Sequence, residues 1–358
     1  MNARERVLAA LNREPTDRIP VDIWHTPEVF SALANHFGVQ DELELYQVMG
    51  LDKIVWSEIA YLTTTDQGEQ TRTGSTHFAG QHTMWGVPLR TVNTGVAVYG
   101  EFGEPPLRGY DTPESVEGYP FWPDADRFDY DGLTQKLKRA SEHFVTNAPW
   151  VSLFEIYCQM RGMEQAMLDL ITAPALVDAI LTQIEARQTE MMKRLFGQAA
   201  EHIDLTFISD DMGGQNGPLI SLDTWDRFFK DRMKRWCDLI HSYGIKVFYH
   251  SDGSCFDLIP RLIEAGIDVL NPIQHVCPGM EMKRLRDSFG GRLVFHGGID
   301  NQHVLPMGTP DEVRIETRNC LQTLGRDGTG YVCCSCHNIQ AGTPIENILA
   351  MVEETSKA

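Results

Sequence analysis

The sequence is short of several features that define other classes of protein. No run approaches the roughly 18 consecutive apolar residues that a membrane span needs, so no membrane segment is expected. Basic residues are outnumbered, 31 Lys and Arg against 50 Asp and Glu, for a formal net charge of -19. That balance disfavours nucleic acid and anionic lipid surfaces alike and excludes both as main partners. Eight cysteines in 358 residues do not make a disulfide framework at this length. The opening Met1-Asn2-Ala3-Arg4-Glu5-Arg6 reads as an amphipathic helix without the apolar core of a signal peptide, and a reducing cytoplasm is the expected setting. No internal repeat, low-complexity tract or long linker is visible.

What is there is a globular chain, 42% hydrophobic and 23% charged, long enough to bury a substantial core. Short apolar, β-branched runs recur at Ile19–Trp24, Lys53–Ser57, Trp150–Ile156, Asp204–Ser209, Ile245–His250, Val269–Pro272, Leu293–Gly297 and Gly330–Cys334. Helical spacing fills most of the gaps, as in Thr224–Ser242 and Pro310–Leu324. Strands alternating with helices predict βαβ units and a parallel sheet, and eight strands predict an α/β fold of the closed (β/α)₈ TIM-barrel type. Residues 61–123 break the rhythm and are expected to form a β-hairpin insertion with a capping loop. The whole of 1–358 is expected to be one domain.

Active sites of such barrels lie where the strands end. Polar residues gather at those points: Trp24 and His25, Glu155 and Tyr157, Asp210 and Asp211, His250 to Asp252, Asn271 and Gln274, His296 and Asp300, then Cys334, Cys336 and His337. The densest chemistry is Cys333-Cys334-Ser335-Cys336-His337, three thiols and an imidazole in five residues. Zinc takes thiolate and imidazole ligands, and a catalytic zinc leaves one position open. His250, Cys336 and His337, with Asp252 or Cys334 as a fourth or alternative ligand, satisfy that count. Cys336 and His337 point to opposite sides of a continuing strand, so only one is a ligand unless the backbone turns. Alternatively, the thiols are core residues and His250 hydrogen-bonds Asp252 or a carbonyl.

Paired carboxylates such as Asp210-Asp211 raise one pKa and so suit general acid–base work; the plainer role for one of them is to cap the following turn. Glu155 is a candidate proton donor or metal ligand, or else the partner of Arg161. Trp24, Trp85 and Tyr157 are candidate walls for an apolar or aromatic substrate. His25, Gln274 and Asp300 are further candidate substrate contacts.

With these residues laid out, the chain resembles the uroporphyrinogen decarboxylase superfamily, including its cobalamin-linked methyltransferase branch. The similarity runs from Arg4 to Pro15 with Asp17-Arg18-Ile19-Pro20, through Gly162-Met163-Glu164, Asp210-Asp211-Met212-Gly213 and His250-Ser251-Asp252-Gly253-Ser254. It continues in Asn271-Pro272-Ile273-Gln274 and Gly297-Gly298-Ile299-Asp300 and closes with His337-Asn338-Ile339-Gln340 and Thr343-Pro344-Ile345-Glu346-Asn347. The Arg-rich motif that grips tetrapyrrole carboxylates is absent from Val21–Pro27, which argues against a true uroporphyrinogen decarboxylase. The zinc methyltransferases of the superfamily use a His-x-Cys pair and a later Cys six residues before Thr-Pro. Here His250 matches the His, Asp252 stands at the first Cys, and His337 stands six residues before Thr343.

The resemblance implies a methyltransferase that demethylates a small methoxylated or methylated compound and passes the methyl to a corrinoid protein. It implies zinc, a corrinoid carried by a partner, and room for a homodimer; because two of the three ligand positions depart from the pattern, either the metal is held differently, with Cys334 or Cys336 substituting, or no metal is held there. Asp211, Glu155 and Asp210 are the candidate catalytic acids. Two other activities suit the same residues: a decarboxylase or lyase of a small carboxylic acid, and a non-catalytic metal- or corrinoid-binding protein.

Overall fold

The computed structural model describes residues 1–64, 70–73, 82–95 and 98–357. Its strands in chain order are β1 (Ile54–Trp56), β2 (Tyr61–Thr64), β3 (Gln70–Thr73), β4 (Leu89–Asn93), β5 (Val98–Phe102), β6 (Val145–Val151), β7 (Leu205–Ser209), β8 (Lys246–His250), β9 (Val269–Asn271), β10 (Val294–His296) and β11 (Tyr331–Val332). Strands β1 and β6 to β11 make one curled sheet in the order β1-β6-β7-β8-β9-β10-β11. Every pairing in it is parallel. Strands β6, β7 and β9 are buried at every position, as expected when helices cover one face and packed side chains fill the other. Among the described residues no helix is long and apolar enough to cross a membrane.

The first expected strand closes the curl without a regular ladder of its own. On one side the Asp22 amide donates to the Cys333 carbonyl at 2.8 Å and the Cys333 amide to Pro20 at 2.9 Å. On the other the Asp52 amide donates to Val21 at 2.8 Å, while the Val21 amide donates to Asp52 Oδ2 at 3.0 Å. Buried Asp52 is held by Arg6 and Arg18, so the N-terminal Arg-containing segment staples the barrel seam. The architecture is TIM-barrel-like.

Two expectations shift. The third strand runs over Val145–Val151 rather than 150–156, and Phe154–Arg161 is a helix. Asn147 and Pro149 hid the true start, because both are poor strand residues. The sheet tolerates them through a register irregularity between Asn147 and Trp150. The long helix expected at 224–242 is two, Leu222–Phe228 and Lys230–Ser242. Within the segment expected as an insertion, β2 pairs with β3 and β4 with β5, both antiparallel; residues 65–69, 74–81 and 96–97 of it lie outside the described residues.

Two loops set the mouth. The one after β7 lies against the one after β8, with the Ser254 amide donating to the Gly214 carbonyl at 2.8 Å. A Cβ on Gly213 would sit 2.2 Å from the Asp252 carbonyl, and Gly253 has φ +80°. Both positions therefore require glycine, and the contact fixes where Asp252 stands.

Candidate active site

A cavity of about 310 Å³ opens at the carboxyl ends of the strands. Aromatic rings wall it: Trp24, Trp56, Trp150 and Phe207. Its polar lining includes Lys53, Glu155, Asp211, His250 and His337. This is the position that barrel topology reserves for chemistry.

His250 and His337 line the cavity and Asp252 joins them, with one donor atom from each of the three lying within 4.8 Å of the others. His250 ends β8, buried, and its ring packs against Trp24 at 5.8 Å between centroids. Its Nδ1 lies 2.5 Å from Asn271 Oδ1, which can only accept, so Nδ1 carries the proton and donates it. Nε2 is left with its lone pair, 3.7 Å from Asp211 Oδ1. Burial, reinforced by neighbouring His250, lowers the pKa of His337 and favours its neutral, ligating form. Asp252 is the third donor, and its amide donates to Asp211 Oδ1 at 2.9 Å. Two imidazoles and a carboxylate suit a divalent cation such as zinc, with Asp211 beside them.

The thiols do not join this group. Cys336 is buried and donates its S–H to the Ile273 carbonyl at 3.3 Å. It borders a shallow crevice with Gln274 and Asp300 instead of the main cavity. Cys334 belongs to a second, fully buried group with Asp22 and His296. Burial pushes both thiols up, away from thiolate. The two adjacent side chains face opposite ways, so the imidazole reaches the cavity and the sulfur turns inward. The structure thus places Cys334 and Cys336 in buried surroundings, apart from the group of His250, Asp252 and His337.

The buried group is saturated internally. Asp22 accepts from Lys53 Nζ at 2.8 Å, from the Ile23 amide at 2.7 Å and from His296 Nε2 at 3.0 Å. His296 Nδ1 accepts from Asn271 Nδ2 at 2.8 Å.

The acids divide by role. Asp210 is completely buried, and one oxygen accepts from Ser152 Oγ at 2.6 Å and from the amides of Leu153, Phe154 and Glu155. It caps the Phe154–Arg161 helix from a neighbouring strand, so it is not in the cavity. Burial raises its pKa to about 6, and its second oxygen has no partner among the described residues. Glu155 sits on that helix, not on a strand, and lines the cavity. Burial, then the charges of Asp211 and Asp210, push its pKa up to about 8. Gln159 donates to it at 3.0 Å and Ser209 at 3.4 Å. Arg161 is engaged elsewhere, by Asp169 and Asp111.

Of the remaining expected contacts, Trp24 lines the cavity and His25 its edge. His25 Nε2 lies 2.9 Å from the Tyr46 hydroxyl, which donates to Glu42 at 2.6 Å. Tyr157 is buried, its hydroxyl donating to the Ala166 carbonyl at 2.8 Å. Trp85 is buried under Tyr119. Gln274 accepts from the Gly253 amide at 2.8 Å, and Asp300 accepts from the amides of Gln302 and His303. These four support loops and packing instead of facing the cavity. Missed from the sequence were Lys53, Trp56, Trp150 and Phe207. Lys53 carried a signal, a lone charge opening an apolar strand.

The family model described as "Uroporphyrinogen decarboxylase (URO-D)" matches residues 135–358, over half of the chain. The chain belongs to the uroporphyrinogen decarboxylase family. A methylated-thiol–coenzyme M methyltransferase from Methanosarcina mazei is 27% identical over 159 residues, covering 43% of this chain. The aligned part spans 38% of that relative's length. A solved structure described as a methyltransferase from Methanosarcina mazei matches 100% of this chain and 99% of its own, with a TM-score of 0.68 at 16% identity. That likeness establishes a shared fold.

Proposed function

We propose that this chain is a methyltransferase, taking a methyl group from a small methylated or methoxylated donor to a corrinoid carried by a partner protein. The grouping of Asp252 with His250 and His337, the two imidazoles that line the aromatic-walled cavity, carries the proposal. These are the three positions at which the sequence resemblance aligned the zinc ligands, with Asp and His standing for the two cysteines. The methyltransferase named among the relatives supports the reaction class.

Methyl transfer from an ether, thioether or amine is slow because the departing heteroatom is a poor leaving group. Zinc bound by His250, Asp252 and His337 would supply Lewis acidity at that heteroatom. Glu155, protonated below about pH 8, is placed in the cavity to give the heteroatom its proton as the C–X bond breaks. Trp24, Trp56, Trp150 and Phe207 exclude water and grip the donor's apolar body. The open mouth leaves the methyl accessible to an acceptor docking from outside, and the bonding electron pair stays with the heteroatom.

The test is an anaerobic assay of zinc-loaded protein with a panel of methyl ethers, thioethers and amines, with and without a reduced corrinoid. Demethylated product that forms only with the corrinoid present is the expected result. Carbon dioxide released from a carboxylic acid without corrinoid would replace methyl transfer by lyase chemistry, and no turnover with any donor would also overturn the proposal.

A further inference from the structure

The cavity-facing His250 is tied to the buried group by one side chain, Asn271. An asparagine amide between two imidazoles can sit in two ways. In the observed one, Oδ1 accepts from His250 Nδ1 at 2.5 Å and Nδ2 donates to His296 Nδ1 at 2.8 Å. Turned over, Nδ2 would donate to His250 Nδ1 and Oδ1 would accept from His296. His250 would then carry its proton on Nε2, and its lone pair would be lost to the cavity.

Local electrostatics in the cavity favour that unwanted form. Nε2 of His250 lies 3.7 Å from Asp211 Oδ1, and Asp252 and His337 stand close by. Two carboxylates near a nitrogen attract a proton to it. Something must hold the proton on the far side of the ring.

The chain behind Asn271 does so. Asp22 Oδ2 lies 3.0 Å from His296 Nε2. Burial opposes the charge of Asp22, but the Lys53 ammonium and the His296 N–H outweigh it and hold the carboxyl below its ordinary range. A carboxylate can only accept, so His296 must carry its proton on Nε2 and offer a lone pair at Nδ1. That lone pair demands a donor from Asn271 and fixes which way the amide sits. Asn271, His296 and Asp22 are all buried, each at most 1% exposed, so water cannot satisfy the alternative.

We infer that Asp22, His296 and Asn271 form a tautomer lock, a series of positioning residues that keeps the Nε2 lone pair of His250 turned to the cavity. The lock works through hydrogen bonds whose directions are set in order from Lys53 to His250. Lys53 and His250 both line the cavity, so the series starts and ends on the same wall. Its metal consequence rests on the function proposed above, whereas the tautomer itself does not.

The test separates the two. Imidazole nitrogen–proton correlation spectra of metal-free, histidine-labelled protein report which ring nitrogen of His250 is protonated, with His250→Ala giving the assignment. Cobalt(II) titration followed by its visible absorption reports affinity. Wild type is expected to show His250 protonated on Nδ1 alone. His296→Leu removes the acceptor and should let Asn271 turn over. His250 should then shift toward Nε2–H, and cobalt affinity should fall about 10- to 100-fold, the usual range for losing an outer-shell partner. The double variant His296→Leu with Asn271→Asp should recover affinity to within a few-fold, because a carboxylate at 271 only accepts.

An unchanged tautomer and affinity in His296→Leu would overturn the inference. So would a double variant as weak as the single one, because the loss would then be structural. If His296→Leu fails to fold, Asp22→Asn takes its place: its amide can feed His296 Nε2, and the same shift at His250 is expected. Wild-type protein with the Nδ1–H tautomer but no cobalt binding would uphold the lock and count against the proposed function alone.

Discussion

Two groups that each combine an aspartate with histidine, one of them adding a cysteine, sit one amide apart, and they differ sharply in chemistry. In Asp22, His296 and Cys334 every polar atom of the carboxylate and the imidazole is spent inside the protein, on Lys53, on the Ile23 amide, on Asn271 and on each other. In His250, Asp252 and His337 the protein fixes the back of His250 through Asn271 and leaves its Nε2 facing the cavity. Residue type nominates both groups as metal sites. The state of the lone pairs distinguishes them, and the function proposed above rests on the group without sulfur.

The most forceful way to break this comparison is to delete one member from each group. His250→Ala should remove bound zinc and lower turnover by about 10³-fold or more, since metal assistance supplies several kcal/mol of transition-state stabilisation. Cys334→Ser should leave zinc content as it is. Elemental analysis beside kcat reads both, and zinc loss in the cysteine variant with retention in the histidine variant would reverse the assignment.

Next in size is the acid. Glu155→Gln should slow transfer from poor leaving groups by about 10²-fold, the low end for a general acid. The wild-type rate should fall as pH rises through about 8, where Glu155 loses its proton, and the variant's profile should be flat there. The same shift has a stability consequence with a definite sign. The unfolded chain releases this proton near the ordinary glutamate value of 4.5, whereas the folded protein keeps it to about 8. Stability should therefore decline as pH climbs across that window, and Glu155→Gln should flatten the decline in denaturant titrations.

Smaller effects sharpen the contrast between the cavity wall and the core behind it. Trp56 is 39% exposed at the mouth. Trp56→Ala should raise KM about fivefold, the worth of one aromatic contact near 1 kcal/mol, and shift stability by no more than about 0.5 kcal/mol. Cys336→Ala should change neither zinc content nor KM, and should cost about 1 kcal/mol of stability for the lost buried hydrogen bond. A large KM effect from Cys336 would place its sulfur in the cavity after all.

The sequence made the parallel sheet legible because its central strands are buried on both faces, so β7 and β8 stand out as short, mainly apolar runs. It hid the start of β6, because Asn147 and Pro149 argue against a strand and only the register irregularity lets them in. His250 was legible as the last residue of an apolar run, and Asp211 as half of an acid pair. Which half faces the cavity was not. Asp210 turns inward to cap a helix that begins 56 residues earlier in the chain, a contact that exists only once two strands are neighbours. Cys336 and His337 face different compartments, as alternation along an extended backbone allows, but residue type alone did not tell which of the two enters the cavity. Phe207 reaches the cavity from β7, which pairs directly with β8, whereas Lys53 and Trp56 reach it from the β1 side, two strands beyond β7 in the curled sheet.

The central claim is that the ligand set is nitrogen and oxygen, from His250, Asp252 and His337, although eight cysteines are available in the chain. X-ray absorption of the zinc-loaded protein tests it most directly. The account predicts a first shell of light atoms at roughly 2.0–2.2 Å with an imidazole signature and no sulfur. A sulfur scatterer at about 2.3 Å, or protein that binds no zinc at all, would contradict it.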